Sequence, residues 1–373
     1  MRGVFFRDQA IAVWLRGHKV GVTAPIMHSL RTFLSGSQKV KSVREEKDQG
    51  VVTLRRDVWA YMPRIPFGNY ILWKQAADLL LERYIEKHGR PEIVHAHSAL
   101  FAGAVAANWK KRFGIPFALT EHSTAFARDA LPLWQMRLAK KAAAAADYRI
   151  AVSPALGELL SETMGSGATD WTWIPNIVAD RFRWRGKEKP GINRRVRFLN
   201  LALMTEKKGQ IDLMEAFSEG FRMKKEVELW FGGDGPLNRQ LKTAAEKLGV
   251  KDRVRFLGRI APAKVPELFR SVDVLVVSSH YETFGLVAAE ALMCGVPVVA
   301  TRCGGPECIV QEGDGLLVPP GDPVKLSEAL LKMVDLLPEL DSQAISDRAR
   351  QRFSSDAVGR QLDDIYADPV LKG

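Results

Sequence analysis

Two carboxylates eight residues apart, Glu282 and Glu290, carry the clearest chemical signal in this 373-residue chain. Glu282 lies in Ser278-Ser279-His280-Tyr281-Glu282-Thr283-Phe284-Gly285, and Glu290 follows in the apolar run Leu286-Val287-Ala288-Ala289-Glu290-Ala291-Leu292-Met293. A charge among such neighbours is costly unless something compensates it. Glu290 is therefore either a rim or Arg-paired carboxylate of a structural helix, or a group that holds a ligand.

The elements around the pair decide where such a ligand would sit. Val272 to Val277 is apolar and β-branched, the pattern of a strand buried on both faces, and Val298-Val299-Ala300 reads as the next strand. Between them the spacing predicts a helix whose first turn falls near Thr283 to Gly285. Gly295 and Pro297 mark its end. Glu282 then stands in the loop at the carboxyl end of a parallel strand, where α/β proteins place ligands.

The whole stretch, Glu-Thr-Phe-Gly-Leu to Glu290 and on to Gly295-Val296-Pro297-Val298-Val299-Ala300-Thr301, with Gly304-Gly305-Pro306-Glu307 after it, resembles the Glu-x7-Glu signature of the family 4 retaining glycosyltransferases. The resemblance implies the α/β fold called GT-B: two Rossmann-like, doubly wound parallel-sheet domains facing a cleft. It divides the chain into an acceptor-side domain over 1–178, a nucleotide-sugar-binding domain over 179–355, and a C-terminal helix over 356–373 that returns to the first domain. It implies catalytic roles for Glu282, His122 and Lys208. Donor-binding roles fall on Glu290, Phe284, Gly285, Gly232, Gly233, Arg259 and Gly3. No metal or other cofactor is expected; the nucleotide-diphospho-sugar is a co-substrate.

Two departures from the family pattern stand out. The family places an Arg six residues before the Lys that contacts the diphosphate; Lys208 and the adjacent Lys207 are present, but that position is Ala202. A bidentate guanidinium is a strong phosphate partner, so its replacement weakens donor binding. The family's first strand, which precedes its glycine loop, also has no counterpart. Gly3 to Ala10 matches the end of the loop and the start of its helix, about 15 to 20 residues into the family pattern. A catalytically impaired or non-catalytic paralogue is therefore the alternative to an active transferase.

In the first half, helical spacing over 5–16 precedes a short strand at Lys19-Val20-Gly21-Val22-Thr23, and residues 29–56 read as a basic loop or short hairpin. His97 and His122 both end strand-like runs, Ile93 to His97 and Pro116 to His122. An isolated His there is more often satisfied by a nearby carbonyl. Thr120-Glu121-His122, however, resembles the family's donor-sugar histidine. Trp173-Ile174-Pro175-Asn176-Ile177-Val178 resembles the family's segment at the end of the first domain, and a polar linker follows over 180–195.

Composition narrows the alternatives. Hydrophobic residues at 46% and charged residues at 26% describe a globular chain, and its length suits two domains. No apolar run of about 18 residues occurs, so no transmembrane helix is expected. The early charges at Arg2 and Arg7 do not fit a secretory signal. Three cysteines without a CxxC fit neither a disulfide framework nor a zinc site, and a cytoplasmic location is expected. The lack of GxxxxGK[ST] excludes a P-loop enzyme.

The net charge of +11 is uneven: residues 1–190 hold 29 Lys+Arg against 17 Asp+Glu, and the rest is nearly neutral. No nucleic-acid-reading motif accompanies the charge, so nucleic acid is not an expected partner. The expected partners are a nucleotide-sugar donor, a glycan or lipid-linked acceptor, and an anionic membrane surface on the inner face of the cell membrane. Arg55 to Arg64 and Trp171 to Arg185 interleave aromatics with cations. They are either a membrane-facing surface or core aromatics beside solvated cations.

Overall fold

The computed structural model describes residues 4–29, 43–62, 65, 67–128, 130–186, 195–224 and 226–368. The chain forms two compact units, the first from Met1–Val152, Leu156–Ile174 and Val358–Gly373, the second from Ser153–Ala155 and Pro175–Ala357. The main crossing between these units falls at Ile174/Pro175. Among the described residues no helix is long and apolar enough to cross a membrane.

The first unit opens with helix α1 (Val4–Leu15) and strand β1 (Gly21–His28), followed by a hairpin of β2 (Arg44–Asp48) and β3 (Val51–Trp59). β3 lies between its neighbours, parallel to β1 and antiparallel to β2. Of the loop and the short hairpin that the sequence allows over 29–56, the described residues form the hairpin. Val51, Leu54, Val58 and Trp59 are buried, while Arg55 pairs with Glu46 at 2.6 Å and Arg44 with Asp57 at 3.0 Å. Arg55 is compatible with a core strand because the cross-strand Glu46 carboxylate neutralises it.

Helix α2 (Gly68–His88) leads to a second sheet of four parallel strands, β4 (Val94–His97), β5 (Phe117–Glu121), β6 (Tyr148–Ala151) and β7 (Thr172–Trp173), in that spatial order. Helices α3 (Ala104–Phe113) and α4 (Leu133–Ala145) pack with α2 around Leu81, Val105, Trp109 and Ala142. The first unit is completed from the far end of the chain. His18 bonds Asp363 at 2.9 Å, Arg16 pairs with the same carboxylate, and His95 Nδ1 meets Tyr366 Oη at 2.6 Å.

The second unit is a six-stranded sheet in the order β10-β9-β8-β11-β12-β13, parallel throughout. Its strands are β8 (Val196–Leu201), β9 (Val227–Gly232), β10 (Val254–Gly258), β11 (Val274–Val277), β12 (Val298–Thr301) and β13 (Gly315–Val318). β11 and β12 are buried along their whole length, as continuous apolar runs in a doubly covered sheet should be. The core gathers Phe198, Phe217, Phe221, Leu229 and Phe231. The fully buried Asp314 carboxylate receives Arg348 and Arg352, each at 2.8 Å, which ties the helix Ser342–Phe353 to the turn before β13.

Candidate functional site

In the second unit, β11 delivers the chain into a loop whose course is fixed by its neighbour after β12. Glu282 N–H donates to Cys303 O at 3.0 Å, and Gly305 N–H donates to Glu282 O at 2.9 Å. This short parallel bridge holds the Glu282 backbone beside Gly304. Phe284 anchors the turn, only 2% exposed and set edge-on to Phe353 at 5.9 Å. Gly285 then starts the helix Leu286–Met293 at φ +90°, a left-handed geometry that a side chain resists. No side chain caps this helix, and its first turn holds no acid, so its N-terminal amides and dipole favour an anion.

The Glu282 carboxylate accepts a hydrogen bond from Ser279 Oγ at 2.8 Å and is ion-paired with Lys208 Nζ. Both charged side chains are largely withdrawn from solvent. Lys208 is placed by the turn Glu206–Lys208, whose end is stitched back to the β11 loop by Ser278 Oγ donating to Lys208 O at 2.9 Å. A cation from the end of β8 and a carboxylate from the end of β11, adjacent strands, thus meet at the sheet's carboxyl edge. Glu290 lies one turn into the helix, half-buried, with Ala288, Ala289, Ala291 and Leu292 buried around it.

The glycine turn after β9 behaves differently. Gly233, at φ +126°, packs so closely on Ala202 that a Cβ would collide with the Ala202 carbonyl oxygen. Its N–H donates to Gly258 O at 2.8 Å, Ala202 N–H donates to Gly232 O at 3.0 Å, and Gly235 N–H bonds the Asp234 carboxylate at 2.8 Å. These amides close the turn. Arg259 is exposed beyond β10 and lines an open groove of about 560 Å³ with Trp230, Leu257, Ile260 and Lys264; neither Lys208 nor Glu282 lines it.

In the first unit, His122 is joined to residues that spacing alone did not group with it. His97 Nδ1 and His122 Nε2 are 3.2 Å apart, His95 stacks on His97 at 4.7 Å, and Phe6 covers both His97 and His122. His95 Nε2 also meets Thr120 Oγ1 at 2.7 Å. Burial lowers the His97 pKa to about 4, and burial with the neighbouring imidazoles lowers that of His95 well below its ordinary value. Beneath them Glu121, fully buried, accepts N–H groups from Ala99, His122 and Ser123 at 2.7 to 2.8 Å. Burial pushes its carboxyl up while those donors pull it down. Glu121 fixes the His122 backbone, a role the sequence signals only by adjacency. Gly3 lies outside the described residues.

Residues 16–181 match the family model described as Glycosyltransferase Family 4, and residues 182–352 match the model described as Glycosyl transferases group 1. Glycogen synthase of Mycobacterium tuberculosis is 28% identical over 86% of this chain and 77% of its own length. Sucrose-phosphate synthase of Thermosynechococcus elongatus superposes with a TM-score of 0.78 at 22% identity, covering 98% of this chain and 92% of its own. Anabaena HepE in complex with UDP superposes with a TM-score of 0.70 at 19% identity, covering 93% and 99%. The two family models together span residues 16–352, and the chain is a glycosyltransferase of the GT-B, family 4 type.

Proposed function

We propose that this GT-B glycosyltransferase moves a sugar, with retention of anomeric configuration, from a nucleotide-diphospho-sugar to a glycan or lipid-linked acceptor at an anionic membrane surface. Cell-surface polysaccharide synthesis is the process it fits. The carrying observation is the Lys208–Glu282 pair beside the uncapped helix Leu286–Met293 at the carboxyl edge of a parallel sheet. HepE, a similar fold, is known in complex with UDP, which supports a uridine nucleotide as the first donor to try.

The reaction breaks the bond between the anomeric carbon and the diphosphate and forms one to the acceptor oxygen, whose proton leaves with the departing phosphate. Most of the catalysis is electrostatic positioning around a departing dianion and an oxocarbenium-like sugar. Lys208 and the amides of the first turn after Gly285 take the charge on the diphosphate, so the step needs no metal in this reading. Once Lys208 turns to phosphate, Glu282 exchanges its cation for sugar hydroxyls. Glu290 is assigned the ribose hydroxyls, and His122, held by Glu121 and His97 in the first unit, the donor sugar.

Calorimetric titration with UDP-, GDP- and ADP-sugars tests the proposal. Glu290→Ala is expected to abolish nucleotide-sugar binding, whereas Glu282→Ala lowers turnover more than affinity. Unchanged donor affinity in Glu290→Ala overturns the assignment. Ala202 favours a second reading, a chain that binds nucleotide without transferring sugar. Tight UDP-sugar binding with no donor hydrolysis would select it.

A further inference from the structure

Of the two aromatic and cationic segments singled out by sequence, Trp59 (3% exposed) and Phe182 (1%) are interior, whereas Trp173 is 38% exposed and the first segment runs out into solvent at Tyr61 and Met62. That exposed end continues into a larger apolar group. Tyr61 (57%), Met62 (42%), Ile65 (58%), Phe67 (40%), Ile71 (50%) and Leu133 (79%) all face solvent. They gather at the N-terminal ends of the helices Gly68–His88 and Leu133–Ala145, where Phe67 meets Trp134 at 4.6 Å. Among the described residues of the loop carrying them, Met62 N–H donates to Asn69 Oδ1 at 3.2 Å, Ile65 N–H to Met62 O at 3.3 Å, and Gly68 N–H to Ile65 O at 3.1 Å. Phe67 is held at φ 62°, a left-handed geometry unfavourable for a bulky residue, and its ring still points outward.

Charge identifies what this surface meets. On the helix Leu133–Ala145, Arg137, Lys140 and Lys141 follow Leu133 at i+4, i+7 and i+8 and so share its exposed face; the helix contains no acid. Those three cations make no ion pair among the described residues. Neither helix has an acid in its first turn or a capping side chain. Apolar tips that can enter an acyl boundary, with cations behind them at headgroup level, are the composition of an interfacial binding surface. A second copy of the chain is a poorer occupant, because a two-fold contact would set this cationic stripe against itself.

We infer that this face docks the protein on an anionic phospholipid bilayer, with Ile65, Phe67, Ile71 and Leu133 inserted and Arg137, Lys140 and Lys141 at the phosphates. The inference deepens the membrane-side acceptor reading above and rests on it for the choice of partner. Co-sedimentation of the full chain with vesicles of phosphatidylcholine alone, or with about one third phosphatidylglycerol, tests it. Binding is expected to the anionic vesicles only and to fall at least roughly tenfold in high salt. Ile71→Asp with Leu133→Asp, and separately Arg137→Glu with Lys140→Glu and Lys141→Glu, should each weaken partitioning roughly tenfold or more. Because these side chains are exposed, the thermal midpoint should hold. Unchanged partitioning of either variant overturns the inference. So does equal binding to neutral vesicles, or a lipid-free dimer that the Ile71/Leu133 variant dissolves. UDP-sugar affinity measured on the same variants keeps the two readings apart: docking can fail with nucleotide binding intact, and the reverse.

Discussion

The second unit keeps its candidate site charged, whereas the first keeps its site neutral. Glu282 is withdrawn from solvent but ion-paired with Lys208 and bonded by Ser279, so the cost of the buried carboxylate is offset locally. His95 and His97 stand at strand ends too, yet burial and mutual proximity lower their pKa values and leave them uncharged at neutral pH. A parallel-sheet edge can thus present either a fixed ion pair or a row of neutral donors and acceptors. The choice depends on whether the adjacent strand ends in a Lys or in a second His. The first arrangement suits a diphosphate, the second a sugar hydroxyl.

The sharpest way to break this contrast is to remove the cation. Lys208→Ala should cost about 10² to 10³-fold in turnover, the usual scale for losing one electrostatic stabiliser, and should also lower the melting temperature because Glu282 loses its partner. Lys208→Arg should restore much of the melting temperature. Steady-state donor hydrolysis and thermal unfolding check both, and an unaltered rate in Lys208→Ala would remove Lys208 from the reaction.

The neutral cluster predicts a pH effect instead. His97 carries a folded pKa of about 4 against 6.5 for an unperturbed imidazole, so the unfolded chain binds more protons between those values. Stability is therefore fully present above pH 6.5 and declines as pH falls toward 4, by on the order of 3 kcal/mol for this one group. In His97→Asn, denaturant titrations across that window should show a flatter slope. An unchanged slope would place the depressed pKa elsewhere. The smallest effect expected is for Thr120→Val, which removes the His95 Nε2 partner. Loss of one hydrogen bond costs about 1 kcal/mol, readable as a shift in the urea midpoint.

Legibility in the sequence followed the range of the interactions. The unit from β11 to β12 was legible because its signals are local: an apolar run, a glycine at the helix start, a glycine and proline at its end. Lys208 could be named from its motif, but its pairing with Glu282 spans 74 residues and leaves no local trace. A lone His at a strand end is commonly structural, so the sequence ranks His97 below His122, and only the register of β4 beside β5 brings the two rings together. The hairpin of β2 and β3 is legible only as an alternative to a loop, because Arg55 and Arg56 interrupt the apolar pattern of β3 and the Arg55 partner, Glu46, lies on another strand. The exposed cluster around Phe67 and Leu133 was hidden for a similar reason. Whether an aromatic is interior or outward depends on which helix ends are brought side by side.

One feature of the first unit bears on how the protein is made. His95 and Arg16 find their partners at Tyr366 and Asp363, near the last residues described. The half of the chain that leaves the ribosome first is therefore finished last. At ordinary synthesis rates of about 5 to 20 residues per second, it waits some tens of seconds for its closing helix. During that interval the surface later covered by residues 358–367 is open to chaperones and proteases. Truncation just before residue 358 would then harm the amino-terminal unit before the carboxyl-terminal one.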